Sequence, residues 1–599
     1  MAAKLDKIDI NEIQNLYQLF CTRVHLSPDK VACQFYSDDK QAWQQLSWSQ
    51  MADHVARWQA ALKSEDLITG DRVAIMVNNC PEWFMFEQAA LGLGLVVVPL
   101  YTNDRADNVC YVIEDAGIKL LFIQGDEQWI QLKDGCDNQD TLQRIISKDI
   151  LSIHDKAVTH IHSWLPDEAR RFPLAELNVH KSSLATIVYT SGTTGKPKGV
   201  MLSHHNILWN ADSGTHSVEV YSDDNFLSFL PLSHMFERTV GYYLPIICGS
   251  MISYARSIEK LAEDLVSIKP TVLITVPRIF ERVFNKINAQ LEQKSPVARY
   301  LFKATVNVGW RRFLLQQKKA SWHPALLFWP LLNLLVARKI MAKLGGNMRL
   351  AVSGGAPLGA DVARTFIGLG LTISQGYGMT ELSPVVSTNK LDDNEPTSVG
   401  QPLRDVDVKL GEKDELCVRS PGIMLGYWNN EKATKEIIDD DGWLHTGDKA
   451  KIIDEHIYIT GRIKEILVLS NGEKVPPADI EMAIAQDPLF EQSMVIGEQK
   501  PFLAAIVVLN EDEWLKLARK LNIEANEDSL NSDRVKKLVI ERVNKQLHDF
   551  PGYANIYQVY VTLEAWTVDN NMLTPTLKLK RNQISQQYDQ KINAMYEGH

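Results

Sequence analysis

The chain predicts an α/β fold, and three observations carry that prediction. Short runs rich in Val, Ile and Leu alternate with amphipathic helical stretches through the N-terminal half. The joints between them are Gly or Pro turns, the punctuation of strand–turn–helix units with largely parallel strands. At 599 residues the chain exceeds what one hydrophobic core holds, so at least two domains are expected.

In chain order, "DRVAIMVNN" (71–79) reads as a buried strand. "PEWFMFEQAALGLGL" (81–95) then reads as a helix opening on Pro81, where a missing N–H costs nothing, and "VVVPLY" (96–101) as the next strand. Residues 125–181 are polar and weakly periodic and read as a surface excursion with short elements. "PTVLITV" (270–276) leads into the helical "PRIFERVFNKINAQL" (277–291), and "MRLAVSGG" (348–355) into "PLGADVARTFIGLG" (357–370). Near Gly400 the texture changes. "DVDVKLGEKDELCVRSPGIMLGYW" (405–428) has the short strands and turns of a small β subdomain. Beyond Lys464 comes a hairpin signal at Asn471-Gly472, followed by helix, strands and helices of α+β type. The expected division is 1–463, with a helical insertion at about 290–345, and 464–599 as a smaller domain.

Composition excludes several function classes. A net charge of −11 leaves no chain-wide basic footprint, so nucleic acid is not an expected partner and any anion must be held by local groups. Seven scattered cysteines without C-x-x-C spacing fit a reducing compartment rather than a disulfide framework or zinc site. The N-terminal stretch lacks an apolar h-region, and no run reaches the ~20 apolar residues of a spanning helix. The nearest, "PALLFWPLLNLLVA" (324–337), is interrupted by prolines and Asn333. A cytoplasmic protein is expected, with a candidate for peripheral contact with the inner membrane at 297–344. There Trp310, Trp322, Phe328 and Trp329 mix with Arg311, Arg312, Lys318, Lys319, Arg338, Lys339 and Lys343. Helices packed on the rest of the N-terminal domain are the alternative for that segment.

The densest chemical signal is "TSGTTGKPKG" (190–199). Gly192, Gly195 and Gly199 let backbone N–H groups approach a polyanion, Thr190, Ser191, Thr193 and Thr194 offer hydroxyls, and Lys196 and Lys198 add charge. Walker A spacing (G-x-x-x-x-G-K-[ST]) and the kinase G-x-G-x-x-G pattern both fail here, which points away from ordinary γ-phosphoryl transfer.

With its flanks, "YTSGTTGKPKGVMLSH" (189–204) resembles the phosphate loop of the AMP-forming adenylating enzymes, a family that includes acyl-CoA synthetases, adenylation domains and luciferases. "VSGGAPL" (352–358) is similar to the family's adenine-binding turn, which implies that Gly354, Gly355 and Ala356 lie beside the base. "QGYGMTE" (375–381) is similar to its next signature: Gln375, Gly376, Tyr377 and Gly378 near the nucleotide, Tyr377 stacking on adenine, Thr380 at the α-phosphate, and Glu381 holding Mg²⁺ with Thr190. "DGWLHTGD" (441–448) and "TGRIKE" (460–465) imply Asp448 on the ribose hydroxyls, Arg462 near ribose and phosphates, and Lys464 at a hinge. Glu465 stands where Asp is common. The resemblance also implies that Ser470 and Gly472, downstream of the hinge, fall in the CoA-side loop.

"NNMLTPTLKLKR" (570–581) resembles the segment carrying the family's catalytic lysine, assigned here to Lys578, with Lys580 the competing choice. In much of the family a glycine precedes that lysine; Leu577 does so here, as in the long-chain branch. "LPLSHMFERTVG" (230–241) and "TVPRIFERVF" (275–284) resemble the acyl-site segments of long-chain fatty acyl-CoA synthetases, which nominates His234, Phe236 and Arg238 for the carboxylate and tunnel mouth. Phe236 as core and Glu237-Arg238 as a structural ion pair remain open alternatives. The resemblance covers roughly 15–588 and matches the shorter, bacterial type. It implies a long-chain fatty acid–CoA ligase that uses ATP, Mg²⁺ and CoA, with Lys578, Thr190 and Glu381 as catalytic residues. A fatty acyl-AMP ligase loading a carrier protein and a non-catalytic nucleotide- or lipid-binding relative are the alternatives.

Overall fold

The computed structural model describes residues 6–136, 141–152, 157–176, 179–190, 196–548 and 550–597. Two large sheets organise the N-terminal part of the chain. The first runs, edge to edge, Gly426–Tyr427, Lys198–Ser203, Leu184–Thr190, Val96–Pro99, Arg72–Met76, Ile118–Ile123, Arg144–Ser147 and Val158–His160. From Leu184–Thr190 to Val158–His160 neighbouring strands pair in parallel. Helix Pro81–Leu91 begins on its proline and is buried along nearly its whole length, so it reads apolar all round rather than as a stripe.

The last two strands are among the short elements expected in 125–181. The described residues of that segment supply two strands at the end of the sheet and helix Asp126–Cys136. Strands of three and four residues at a sheet edge carry too few apolar positions to show a period.

The second sheet centres on parallel strands Asn225–Ser228, Val272–Thr275, Leu350–Ser353 and Thr372–Gly378. Their carboxyl ends open into Leu230–Arg238, Pro277, the Gly354–Ala356 turn and Thr380–Glu381. Ligands of open α/β sheets bind outside such carboxyl ends.

The β subdomain read from 405–428 is a four-stranded antiparallel sheet of Asp407–Leu410, Glu415–Arg419, Leu444–Ile453 and His456–Arg462. Its own core holds Leu416, Val418, Leu444, Ala450 and Ile457. Residues 426–427 leave it to pair with Met201 and Val200 of the first large sheet, which ties the two layers together.

Beyond residue 464 the polypeptide builds a separate apolar core on strands Phe490–Ile496, Leu503–Leu509 and Ile556–Thr562. The middle strand is buried at every position, which explains its unbroken "LAAIVVL". Leu467–Val468 and Lys474–Val475 form the hairpin expected at Asn471-Gly472, through a five-residue loop in which Gly472 takes φ +87°.

Candidate active site

Hairpin register places the first pair of site residues. Thr190 and Lys198 lie opposite each other at the open end of Leu184–Thr190 and Lys198–Ser203. Ser191, Gly192, Thr193, Thr194 and Gly195 lie outside the described residues. Gly199 departs from its expected role. A Cβ there would come within 2.8 Å of Ile187 and 3.2 Å of Trp428, and its carbonyl accepts the Trp428 N–H at 2.7 Å. It is a packing glycine in a strand and does not cradle phosphate.

A second hairpin sets the nucleotide-side acid. Strands Leu444–Ile453 and His456–Arg462 turn on Asp454 and Glu455, both at positive φ, as a two-residue turn between right-twisted strands requires. Counted back from that turn, Asp448 faces Arg462. Arg462 Nε donates to Asp448 Oδ1 at 3.0 Å and Tyr377 Oη to Asp448 Oδ2 at 2.5 Å. Asp448 is buried, and the adjacent carboxylate holds the Arg462 guanidinium firmly charged even though burial opposes it.

Glu381 is also buried, and one oxygen accepts the Tyr427 hydroxyl at 2.8 Å. Lys198 Nζ sits 5.0 Å from the centroid of the same Tyr427 ring, a cation–π contact. Tyr427 thus bridges the phosphate-loop lysine and the acidic residue, a role the sequence reading missed; its only prior signal was the "GYW" closing the 405–428 run. Lys196 instead turns outward, 4.6 Å over the Tyr111 ring. The oxygens of Glu381 and Thr190 form a hard-donor set of the kind Mg²⁺ takes, so the residues present fit that ion.

The chain's C-terminal part completes the cleft. Lys578 reaches the field of Arg462, Asp448, Glu465 and Glu381, and its ammonium pKa is lowered, chiefly by desolvation and then by Arg462. The residue keeps exposed surface while protein surrounds most of it, which describes a wet cleft and only partial loss of hydration. Lys580, two positions on, is engaged elsewhere. Its Nζ donates to Asn571 Oδ1 at 2.6 Å and faces Arg105, Asp104 and Asp107. Leu577 takes φ +60°, a backbone conformation that suits glycine, so the glycine common at this position has a conformational reason.

In the acyl-site segment, His234 borders this cleft. Desolvation and the Lys578 charge lower its pKa to about 4, so the ring is neutral, and Nδ1 accepts the Phe236 N–H at 3.2 Å. Phe236 packs its ring against Gly354, at the adenine-type turn.

Arg238 is a correction. Its side chain is 0% exposed and paired with the equally sealed Glu87, with Nε at 2.7 Å, while a second nitrogen donates to Thr186 Oγ1 at 2.9 Å. Tyr243 Oη also donates to Glu87, at 2.8 Å, and the Trp83 ring lies 5.5 Å from the guanidinium. An arginine sealed from solvent in this way does not present its donors to a substrate carboxylate. The ion pair left open by the sequence thus exists, but with Glu87 in place of Glu237. Glu237 is itself buried in a π-helical turn, Glu237–Tyr243, and desolvation raises its carboxyl pKa to about 8.

Gln375 is a second correction. Its amide accepts the Leu358 N–H at 2.7 Å and donates to Ser398 O at 2.9 Å, so it braces the Gly354–Ala356 turn instead of reaching a nucleotide. Gly355 and Ala356 face outward on that turn, and Gly376 and Gly378 continue the strand toward Thr380. Lys464 is exposed two residues after Arg462, and Ser470 and Gly472 occupy the exposed hairpin loop of the C-terminal part.

A site that joins an antiparallel hairpin, a parallel-sheet switch and a lysine from a separate C-terminal core is the arrangement of the adenylate-forming class. The chain belongs to the AMP-binding enzyme family: that family's model matches residues 20–428, and the model of the AMP-binding enzyme C-terminal domain matches 464–599. It is 30% identical to long-chain-fatty-acid–CoA ligase FadD15 of Mycobacterium bovis, over 98% of each chain. It is 31% identical to the peroxisomal long chain acyl-CoA synthetase 6 of Arabidopsis thaliana, over 88% of this chain and 78% of that one. Among solved structures, the adenylation domain of a Mycobacterium chelonae carboxylate reductase superposes with a TM-score of 0.77 at 20% identity, over 98% of this chain and 91% of that one.

Proposed function

We propose that the protein is a long-chain fatty acid–CoA ligase working in two half-reactions in the cytoplasm. The observation that carries the reading is the meeting of Lys578 with Glu381, Asp448, Arg462 and neutral His234 in one cleft. In the first half-reaction a fatty acid carboxylate oxygen attacks the α-phosphorus of ATP, the bond to pyrophosphate breaks, and acyl-AMP remains. Two anions must approach each other, so alignment and positive charge supply most of the rate. Lys578 bridges carboxylate and α-phosphate. Asp448 trades its Tyr377 and Arg462 contacts for ribose hydroxyls, and Arg462 balances the phosphate charge. Thr190 and Glu381 would hold Mg²⁺, which when bound neutralises charge on the departing pyrophosphate. His234 is neutral beside a cation and so leaves the incoming carboxylate its negative charge.

In the second half-reaction the part beyond Lys464 turns about that residue and withdraws Lys578. The CoA thiol, guided by the Ser470–Gly472 loop, then attacks the acyl carbonyl; a C–S bond forms, the acyl–phosphate bond breaks, and AMP leaves with its electron pair. The reading takes a lipid surface, met through 297–344, as the source of the acid.

Incubation with ATP, Mg²⁺ and palmitate, with and without CoA, tests it. AMP, pyrophosphate and palmitoyl-CoA are expected. Acyl-AMP that accumulates despite CoA would transfer the assignment to carrier loading, and ADP or no turnover overturns adenylation itself.

A further inference from the structure

The β subdomain carries a cluster of metal-ligating side chains that the nucleotide chemistry does not use. Glu415, Cys417 and His445 bring a carboxylate oxygen, a sulfur and a ring nitrogen within 4.8 Å of one another. Strand geometry gathers them. Glu415 and Cys417 stand two positions apart on strand Glu415–Arg419 and share a face, and the antiparallel register sets His445 of strand Leu444–Ile453 directly opposite Cys417. No C-x-x-C spacing marks the set, because His445 reaches Glu415 across 30 positions of sequence.

The distances suit a tetrahedral cation. His445 Nδ1 lies 3.0 Å from Glu415 Oε2 and 3.6 Å from Cys417 Sγ. Ligands at about 2.0–2.3 Å from a tetrahedral Zn²⁺ stand about 3.3–3.5 Å apart, so the two edges bracket that spacing. Two of the ligands are also oriented from behind. Glu415 Oε1 accepts the Gly447 N–H at 2.9 Å, which leaves Oε2 toward the cluster. His445 Nε2 faces Asp439 Oδ2 at 3.4 Å, and Asp439 is itself fixed, its Oδ1 accepting the Asp441 and Trp443 N–H groups at 3.1 and 2.8 Å. A carboxylate on the far nitrogen selects the tautomer whose Nδ1 lone pair faces a metal, the usual outer support of a histidine ligand. Cys417 is buried and the His445 side chain is 38% exposed, so one side of the cluster is packed and the other opens to water, where a fourth ligand can stand.

We propose that Glu415, Cys417 and His445 form a binding site for a soft divalent cation of the zinc type, with Asp439 orienting His445. Thiolate and imidazole select Zn²⁺ over Mg²⁺, the ion that Thr190 and Glu381 fit. On binding, the thiol proton passes to solvent and a sulfur electron pair forms the bond to the metal; no group is oxidised. The bulge at Gly447, φ +71°, separates this site from the nucleotide side. Gly447 donates to Glu415, its carbonyl accepts the Ile463 N–H at 2.9 Å, and Asp448 follows it. A bound cation thus braces the backbone from which Asp448 projects. The site is independent of which acid the enzyme takes.

Metal titration of the reduced, chelator-treated full chain tests it. One Zn²⁺ per chain is expected in competition with a chromophoric chelator, undiminished by excess Mg²⁺. Co²⁺ in its place should show the near-ultraviolet charge-transfer band of a thiolate ligand. Cys417→Ser should abolish that band and lower Zn²⁺ affinity about 100-fold or more, and Asp439→Asn should keep the band and lower affinity about tenfold. Cys21→Ser, at a residue packed against a different core, should change neither. Saturating Zn²⁺ should raise the melting temperature of wild type and leave that of Cys417→Ser unmoved. Melts without metal report whether each variant folds; should Cys417→Ser fail to, the wild-type cobalt band and the Asp439→Asn affinity decide. Wild type that takes up no stoichiometric Zn²⁺, a cobalt complex without the thiolate band, or binding that survives both Cys417→Ser and His445→Ala overturns the proposal. The cluster is then an imidazolium held between two carboxylates, in which the thiol has no part.

Discussion

Two regions of this molecule hold charge away from bulk water and use it in opposite ways. Around Arg238 the donors point at fixed acceptors: Glu87 receives the guanidinium and the Tyr243 hydroxyl, and both members of the ion pair are sealed from solvent. Around Lys578, charges of both signs share a cleft open to solvent. Asp448 is held by Arg462 and Tyr377 and Glu381 by Tyr427, through contacts a substrate can exchange. The residue types are the same in both places. What separates architecture from chemistry is whether the partners are permanent.

The largest expected effect would break the sealed side. Arg238→Ala leaves the Glu87 carboxylate buried without its counter-ion and should cost about 3–5 kcal/mol of stability. Adding Glu87→Gln should recover part of that loss. Urea unfolding measures both, and a folded Arg238→Ala protein that has lost turnover would return this residue to the acyl site.

On the open side, Lys578→Ala should lower adenylation by ~10²–10³-fold, the scale of removing one preorganised stabiliser of transition-state charge. Pyrophosphate exchange reads that step, and thioester formation from supplied acyl-AMP should survive. Lys580→Ala should change exchange by no more than a few-fold; the reverse result would exchange the two lysines.

A third test uses pH. His204 is buried with Nδ1 accepting the Leu16 N–H at 3.2 Å, and its pKa falls from 6.5 to about 4, as does that of His234. Between these values the unfolded chain binds protons that the native protein refuses, so stability should decline as pH falls from about 6.5 toward 4. Ring resonances of both histidines should stay neutral down to pH 5; a midpoint near 6.5 for either contradicts the burial argument.

The smallest effect is expected at Leu577→Gly. Left-handed backbone costs a non-glycine residue about 1 kcal/mol, and the added freedom of glycine in the unfolded chain cancels much of the gain. A melting temperature within about 2 °C of wild type, with unchanged exchange rate, is the expected outcome. A large drop would mean that the exposed leucine has a contact of its own in another conformation.

Much of the fold was legible because local chemistry and global position agree. Pro81 starts its helix, "PTVLITV" is a central parallel strand, and the texture change near Gly400 marks the third sheet. The rest shares a cause. The short strands at 144–147 and 158–160 acquire their identity only from neighbouring strands. Gly199 and Gln375 sit inside recognisable motifs but serve packing and turn bracing, and a motif does not distinguish a residue that touches ligand from one that holds another in place. Tyr427 reaches Glu381 across 46 positions of sequence, beyond any local pattern.

By itself the sequence determined the class of chemistry. The loop spacing at 190–199 ruled out Walker A and kinase loops, and the carboxylates and lysine downstream are of the types adenylate formation needs, because residue identity sets charge and donor type. Only the tertiary structure decided which charges are free. Burial and partner geometry sealed Arg238, turned Lys580 aside, aimed Lys578 into the cleft and set Cys417 beside His445. Those are properties of surroundings, and surroundings are assembled from residues far apart in the chain.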